Sequence, residues 1–124
     1  MRLITHNMMC CNIKGVTNGF PLKIEAELVE VRETEFDAEF ITSMLEKVDY
    51  PALVAGAVAL AYTELPPAET VDEAMKTDEA FLRKVHHALL DLHMLEGQLL
   101  CPETGRPFTV KDGIPNMLLH EDEV

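Results

Sequence analysis

The period of the apolar residues changes twice along this chain, and that change constrains the fold class more tightly than any single motif. After Pro21, Leu22, Ile24, Ala26 and Leu28 alternate with Lys23, Glu25 and Glu27, the pattern of a half-buried strand over 22–32. From Asp37 the spacing becomes helical. Phe40, Ile41, Met44, Leu45 and Val48 share one face, and Asp37 is placed to accept from the orphan amides of the first turn. Pro51 suits the first position of a second helix, with Leu53, Val54, Ala57, Val58 and Ala61 as its apolar stripe and Leu65-Pro66-Pro67 as its stop. An acidic connector, 68–76, follows. Thr77 or Asp78 then caps a longer helix expected to run to Leu95, burying Phe81, Leu82, Val85, Leu89 and Leu92, with Gly97 as its left-handed cap.

Beyond Gly97 the pattern is extended again. Gln98–Cys101 and Pro107–Val110 read as strands separated by the turn residues 102–105, and Asp112-Gly113 marks a second turn. Ile114–Leu119 is expected to be extended and Glu121–Glu123 a solvated tail; at the other end, Arg2–Asn7 reads as a short strand. The order β, α, β favours an α+β fold. Its two ends, 1–34 and 97–124, would form one small β module, with a helical lobe, 35–96, inserted between them.

Charge narrows the function. Acidic residues number 22 against 10 basic ones in 124 residues, a net charge of −12. A phosphate backbone wants a lysine and arginine patch, so direct nucleic-acid binding is disfavoured, as is an anionic membrane surface. A basic protein partner suits the charge better. The longest apolar run, 51–62, is too short to span a bilayer, and the first residues lack the apolar run of a secretory leader. With an odd cysteine count, a reducing cytoplasmic or nuclear setting is expected.

Three constellations invite chemistry. Cys11 and Cys101 each stand near a turn, as a zinc ribbon would begin, but Val16 and Thr104 occupy the places where second ligands belong. Small buried thiols are the plainer reading, and Cys10 adds only an adjacent third. His86, His87 and His93 fall on the expected helix, with His86 and His93 on one face, which leaves a metal-binding module or a histidine-dependent hydrolase as alternatives. No phosphate-cradling glycine loop is present, so neither a nucleotide nor S-adenosylmethionine is expected to bind here. The third is Gly113-Ile114-Pro115-Asn116-Met117-Leu118-Leu119, an uncharged run that Pro115 holds extended. It reads either as an edge strand against the first strand or as an apolar patch offered to a partner.

Several blocks carry a resemblance: 1–7 (MRLITHN), 19–22 (GFPL), 79–90 (EAFLRKVHHALL), Glu96-Gly97, 101–106 (CPETGR) and 113–119 (GIPNMLL). Together they make the chain similar, over essentially its whole length, to the eukaryotic multifunctional methyltransferase subunit, an activator shared by several RNA and protein methyltransferases. The resemblance implies a zinc-ribbon-like module built from both chain ends and an inserted helical lobe. It implies no methyl-transfer chemistry in the chain itself. The implied partners are catalytic subunits that methylate transfer RNA, small-subunit ribosomal RNA and a translation termination factor. Each would bind as a heterodimer in competition with the others, and each would hold the S-adenosylmethionine. Some members of the family hold zinc with four cysteines; the replacements at Val16 and Thr104 imply that this chain holds none. The expected docking residues are Ile114, Pro115, Asn116, Met117, Leu118 and Leu119, with Thr5, His6 and Asn7 beside them where the two chain ends meet.

Overall fold

A computed structural model describes residues 1–123 and shows an α+β fold. Four antiparallel strands lie in the order β1-β2-β3-β4: β1 (Lys23–Val31), β2 (Leu92–Leu100), β3 (Pro107–Lys111) and β4 (Ile114–Pro115). The helices α2 (Ala38–Lys47), α3 (Tyr50–Ala59) and α4 (Glu79–His86) lie between β1 and β2 in the chain, and α1 (Leu3–His6) precedes β1. One core joins sheet and helices: Leu22, Ile24, Met94, Leu99, Phe108 and Val110 from the sheet side meet Ile41, Leu53, Val85 and Leu89.

The helix starts follow from capping chemistry. Asp37 accepts from the amides of Glu39 and Phe40, Asp49 from Ala52 and Asp78 from Ala80. Pro51 stands at the second helical position rather than the first, because Asp49 sets the start at Tyr50. Helix α3 stops well before Leu65-Pro66-Pro67. Ala61 turns left-handed, with φ 67°, and the Tyr62 and Ala61 amides donate to the carbonyls of Ala57 and Val58. That is the paired closure of a Schellman motif.

Further expectations are overturned. Residues 2–7 do not form a strand. Arg2 makes one bridge to His93, and the chain then closes a short helix whose Leu3 and His6 are buried. The last helix does not reach Leu95: α4 ends at His86, a π-helical turn covers His87–Asp91, and β2 begins at Leu92. Leu92 and Met94 satisfy both periods, and pairing with β1 decides between them. Gly97 is therefore not a helix cap. It lies inside β2 opposite Ala26, next to the register shift of the β1–β2 ladder, with φ 147°. Finally, regular pairing after the second turn covers only Ile114–Pro115, and Glu123 is half-buried against Arg106 rather than solvated.

Candidate docking surface

The β3–β4 hairpin turns on Asp112 and Gly113, with φ of 52° and 77°, between the paired residues Lys111 and Ile114. Positive φ at both central positions is the two-residue turn that matches strand twist, and it needs glycine or a short polar residue. The Gly113 amide donates to the Leu95 carbonyl at 2.9 Å. Beyond β4 the chain stays beside β3, where the Asn116 amide donates to Thr109 O at 2.9 Å. Arg106 then straps the segment down. Its guanidinium donates to both carboxylate oxygens of Glu123 at 3.0 and 2.9 Å, and to Leu118 O at 3.4 Å, while lying 4.5 Å from the Phe108 ring centroid. These bonds from Arg106 hold the Glu123 carboxyl below its usual range.

Strapped this way, 114–119 alternates. Pro115, Met117 and Leu119 turn inward and are half-buried, with Met117 and Leu119 packed against the core. Ile114, Asn116 and Leu118 turn outward, leaving Ile114 70% and Leu118 79% exposed. These are the most exposed large aliphatic side chains of the described residues. Beta4 is also a sheet edge, with no strand on its outer side among the described residues. The surface thus combines unpaired backbone with two aliphatic side chains in water.

Thr5 and His6 belong to α1, and Asn7 ends it. Thr5 is exposed on α1. His6 is buried, and its Nε2–H donates to the Leu22 carbonyl at 2.7 Å; a carbonyl can only accept, so Nδ1 is left as the bare nitrogen, and it has no partner. Burial pushes the imidazole below its ordinary pKa, only partly opposed by the bond to Leu22. The Asn7 side chain donates to Asp49 O and accepts from Asp49 N, both at 2.9 Å, and so fixes the start of α3. The hydrogen bonds of His6 and Asn7 are spent on Leu22 and Asp49, with none to 114–119. The two ends of the chain do meet, but at Met1. Its amine donates to Met94 O at 2.7 Å, and a Cβ on Gly113 would lie 3.2 Å from that nitrogen.

The histidines do not form one face. His93 sits on β2 opposite Glu30, whereas His86 ends α4. His86 belongs instead to a buried clamp around Asp91, which the sequence reading missed. Asp91 accepts from the Thr34 amide at 3.0 Å, the Thr34 hydroxyl at 2.8 Å and His87 Nδ1 at 3.0 Å. His86 Nε2 faces Thr34 Oγ1 at 3.0 Å. This is not a hydrolytic arrangement. The Thr34 proton goes to Asp91, and His86 Nδ1 has no carboxylate behind it to orient the ring. The clamp ties the chain after β1 to the π-helical turn. Among the described residues, no three His, Cys, Asp or Glu side chains are grouped to hold a metal ion. No helix among them is long and apolar enough to cross a membrane. Arg106 was likewise legible only as part of a matching block, since its partner Glu123 is acidic like its neighbours and nothing local distinguishes it.

A family model described as Trm112p-like protein matches residues 2–113. A multifunctional methyltransferase subunit TRM112 homolog of Arabidopsis thaliana is 60% identical over 124 residues, covering 100% of both chains. The TRM112-like methyltransferase subunit of Mus musculus is 47% identical, covering 99% of this chain and 98% of its own. That of Saccharomyces cerevisiae is 32% identical, covering 96% of each. Among solved structures, a chain of the E. cuniculi Mtq2-Trm112 complex, responsible for methylation of the eRF1 translation termination factor, superposes with a TM-score of 0.61. The superposition covers 95% of each chain at 16% identity, and so speaks for the fold.

Proposed function

The chain belongs to the Trm112p-like family of methyltransferase subunits, and from that premise we propose that it docks catalytic methyltransferase subunits on the β4 edge, through Ile114 and Leu118. It is a non-catalytic subunit, and the Asp91 clamp and the histidines are structural. The observation that carries the docking site is the outward pair: two aliphatic side chains left in water, Ile114 on the edge strand β4 and Leu118 on the segment beyond it that Arg106 straps in place. Burying a leucine or isoleucine side chain is worth about 1.5–3 kcal/mol. A partner strand added to β4 would supply main-chain hydrogen bonds as well. Pro115, Met117 and Leu119 back the edge from inside, Asn116 sits between the two outward residues, and Thr5, His6 and Asn7 support the module from α1 and its C-terminal end.

In this reading the docking half is a zinc-ribbon-like module from both chain ends, 1–34 and 97–124, with 35–96 as an inserted helical lobe. The first residues of β2 join the two halves. The module needs no zinc, because Phe108, Cys11 and Cys101 fill its centre. Candidate partners are the subunits that methylate transfer RNA, small-subunit ribosomal RNA and the termination factor, in cytoplasm and nucleus. One edge serves all of them, so they exclude one another. Each brings its own S-adenosylmethionine. Binding only the folded partner stabilises that partner by linkage, and activation follows where the cofactor site is ordered only in that state.

The test is co-expression with a termination-factor methyltransferase, comparing wild type with the pair Ile114→Asp and Leu118→Asp. Both side chains point outward, so the variant should fold with an unchanged melting temperature and lose co-purification. Retained complex at wild-type yield would refute this docking edge.

A further inference from the structure

The segment that carries Leu118 is tied down on both sides of that residue. Before it, the Asn116 amide donates to Thr109 O at 2.9 Å, and the Asn116 side chain accepts from the Leu118 amide at 3.1 Å. After it comes Glu123, where three separate parts of the chain converge. Its carboxylate accepts from Arg106 Nε at 3.0 Å, from Arg106 Nη2 at 2.9 Å and from the His120 amide at 2.7 Å. Its carbonyl accepts from the Lys14 amide at 2.7 Å, which joins the tail to the loop before β1. The direct bond from Arg106 to Leu118 O, at 3.4 Å, is longer than is usual. The two-pronged, charge-assisted pair with Glu123 is the stronger hold.

This pair also differs in its setting from the other arginine and lysine ion pairs of the described residues. Its side chains are 22% and 15% exposed, whereas Arg32–Glu30, Lys76–Glu73 and Arg83–Glu79 leave every partner at least 39% exposed. Ion pairs in water contribute little. One held away from water, with its guanidinium over the buried Phe108 ring, is screened less. Glu121 and Asp122 carry the same charge on the same short helical turn and are exposed.

We propose that Glu123 is the positioning residue of the docking edge: by holding Arg106 and the His120 amide, it fixes the chain on either side of Leu118, so that Leu118 meets a partner already aimed outward. The proposal rests on docking through Ile114 and Leu118. With Glu123 in place, residues 117–120 are ordered during folding. Without it, only Asn116 and the half-buried Met117 and Leu119 side chains restrain them, and a docking subunit must complete the ordering as it binds. Glu123 acts through Leu118 rather than by touching the partner, so the two residues are energetically coupled.

The experiment co-expresses a termination-factor methyltransferase with the full wild-type chain and one variant in competition. The ratio of the two chains captured, corrected for their totals, is read by mass spectrometry. Glu123→Gln keeps the shape and an acceptor but removes the charge-assisted pair. It should compete roughly tenfold less well, as expected when one or two side chains must be immobilised on binding. Glu121→Gln removes the same charge from the same turn and should compete as wild type. Leu118→Ala should compete poorly, and adding Glu123→Gln to it should cost far less than in the wild-type background. Amide hydrogen exchange of the free chain should quicken at 117–120 in Glu123→Gln and stay unchanged in the β1–β2 ladder. Wild-type competition by Leu118→Ala would remove the docking reading, and this inference with it. A weakened Leu118→Ala beside a fully competitive Glu123→Gln would leave docking standing and overturn the role of Glu123. So would losses that simply add, an equal loss from Glu121→Gln, or exchange that quickens throughout the chain.

Discussion

Gly97→Ala should be among the most damaging single-methyl changes in this chain. Gly97 lies beside the register shift of the β1–β2 ladder with φ 147°. A Cβ there would overlap the Glu25 carbonyl oxygen and the terminal methyl of Met94, and would lie 3.1 Å from the Ala26 Cα. The Met94 side chain can rotate, but it is fully buried and packed among core side chains. The Glu25 carbonyl can move only by opening the ladder. The backbone conformation alone costs a non-glycine residue about 1–3 kcal/mol, and overpacking adds roughly 1–3 kcal/mol. About 4 kcal/mol in total is a large share of the 5–15 kcal/mol typical of a domain. With a urea slope of about 1–3 kcal/mol per molar, the denaturation midpoint followed by circular dichroism should fall by about 2 M. Gly105→Ala is the control, because Gly105 also has positive φ, at 77°, but a Cβ there meets nothing within 4 Å. It should lose only the backbone part, about 1–2 kcal/mol. Equal losses at the two positions would show that the overlap at Gly97 is relieved without cost, and the argument for close strand contact would fail.

Other outcomes follow from named contacts. Burial depresses the His6 pKa, so the unfolded chain takes up the proton first. Its contribution to stability is complete above about pH 6.5 and is lost as pH falls below that, down to the folded pKa. His6→Gln, which keeps a donor for Leu22, should flatten that part of the urea-midpoint curve, and an unaltered curve would assign the loss to other groups. Asn7→Ala removes both bonds to the Asp49 backbone, which at about 1 kcal/mol each predicts a loss near 2 kcal/mol in thermal unfolding. Met117→Asp should lower the melting temperature as well as complex yield, because Met117 packs against the core; a folded, wild-type-stable Met117→Asp would contradict the inward placement.

Much of the fold was legible where local chemistry decides. The alternation after Pro21 produced β1, the aspartates at 37 and 78 capped their helices, and Asp112-Gly113 turned as read. What failed was decided by distant partners. The spacing Phe81, Val85, Leu89, Leu92 stays helical in period past the true end of α4, and only pairing with β1 makes Leu92 the start of a strand. Gly97 stands after an apparent helix, so a cap was the natural reading. Its actual neighbour is Glu25, which no local rule connects to it. At the surface, the run 113–119 was visible as unusual. Which of its side chains face outward depends on the Arg106 strap, and that depends on Glu123.

The sheet order equals the chain order, yet β1 and β2, which form its longest ladder, are separated by every helix from α2 to the π-helical turn. Closing a loop of that length costs roughly 3–4 kcal/mol before the first rung forms. The β3–β4 hairpin can assemble early by itself, but β1 can zip onto β2 only once the intervening segment has condensed. Maturation of the edge is thereby slaved to the slowest part of the polypeptide. A lesion in α2 or α3, remote from any docked subunit, should register as sluggish acquisition of binding competence during refolding, even where the final affinity is untouched.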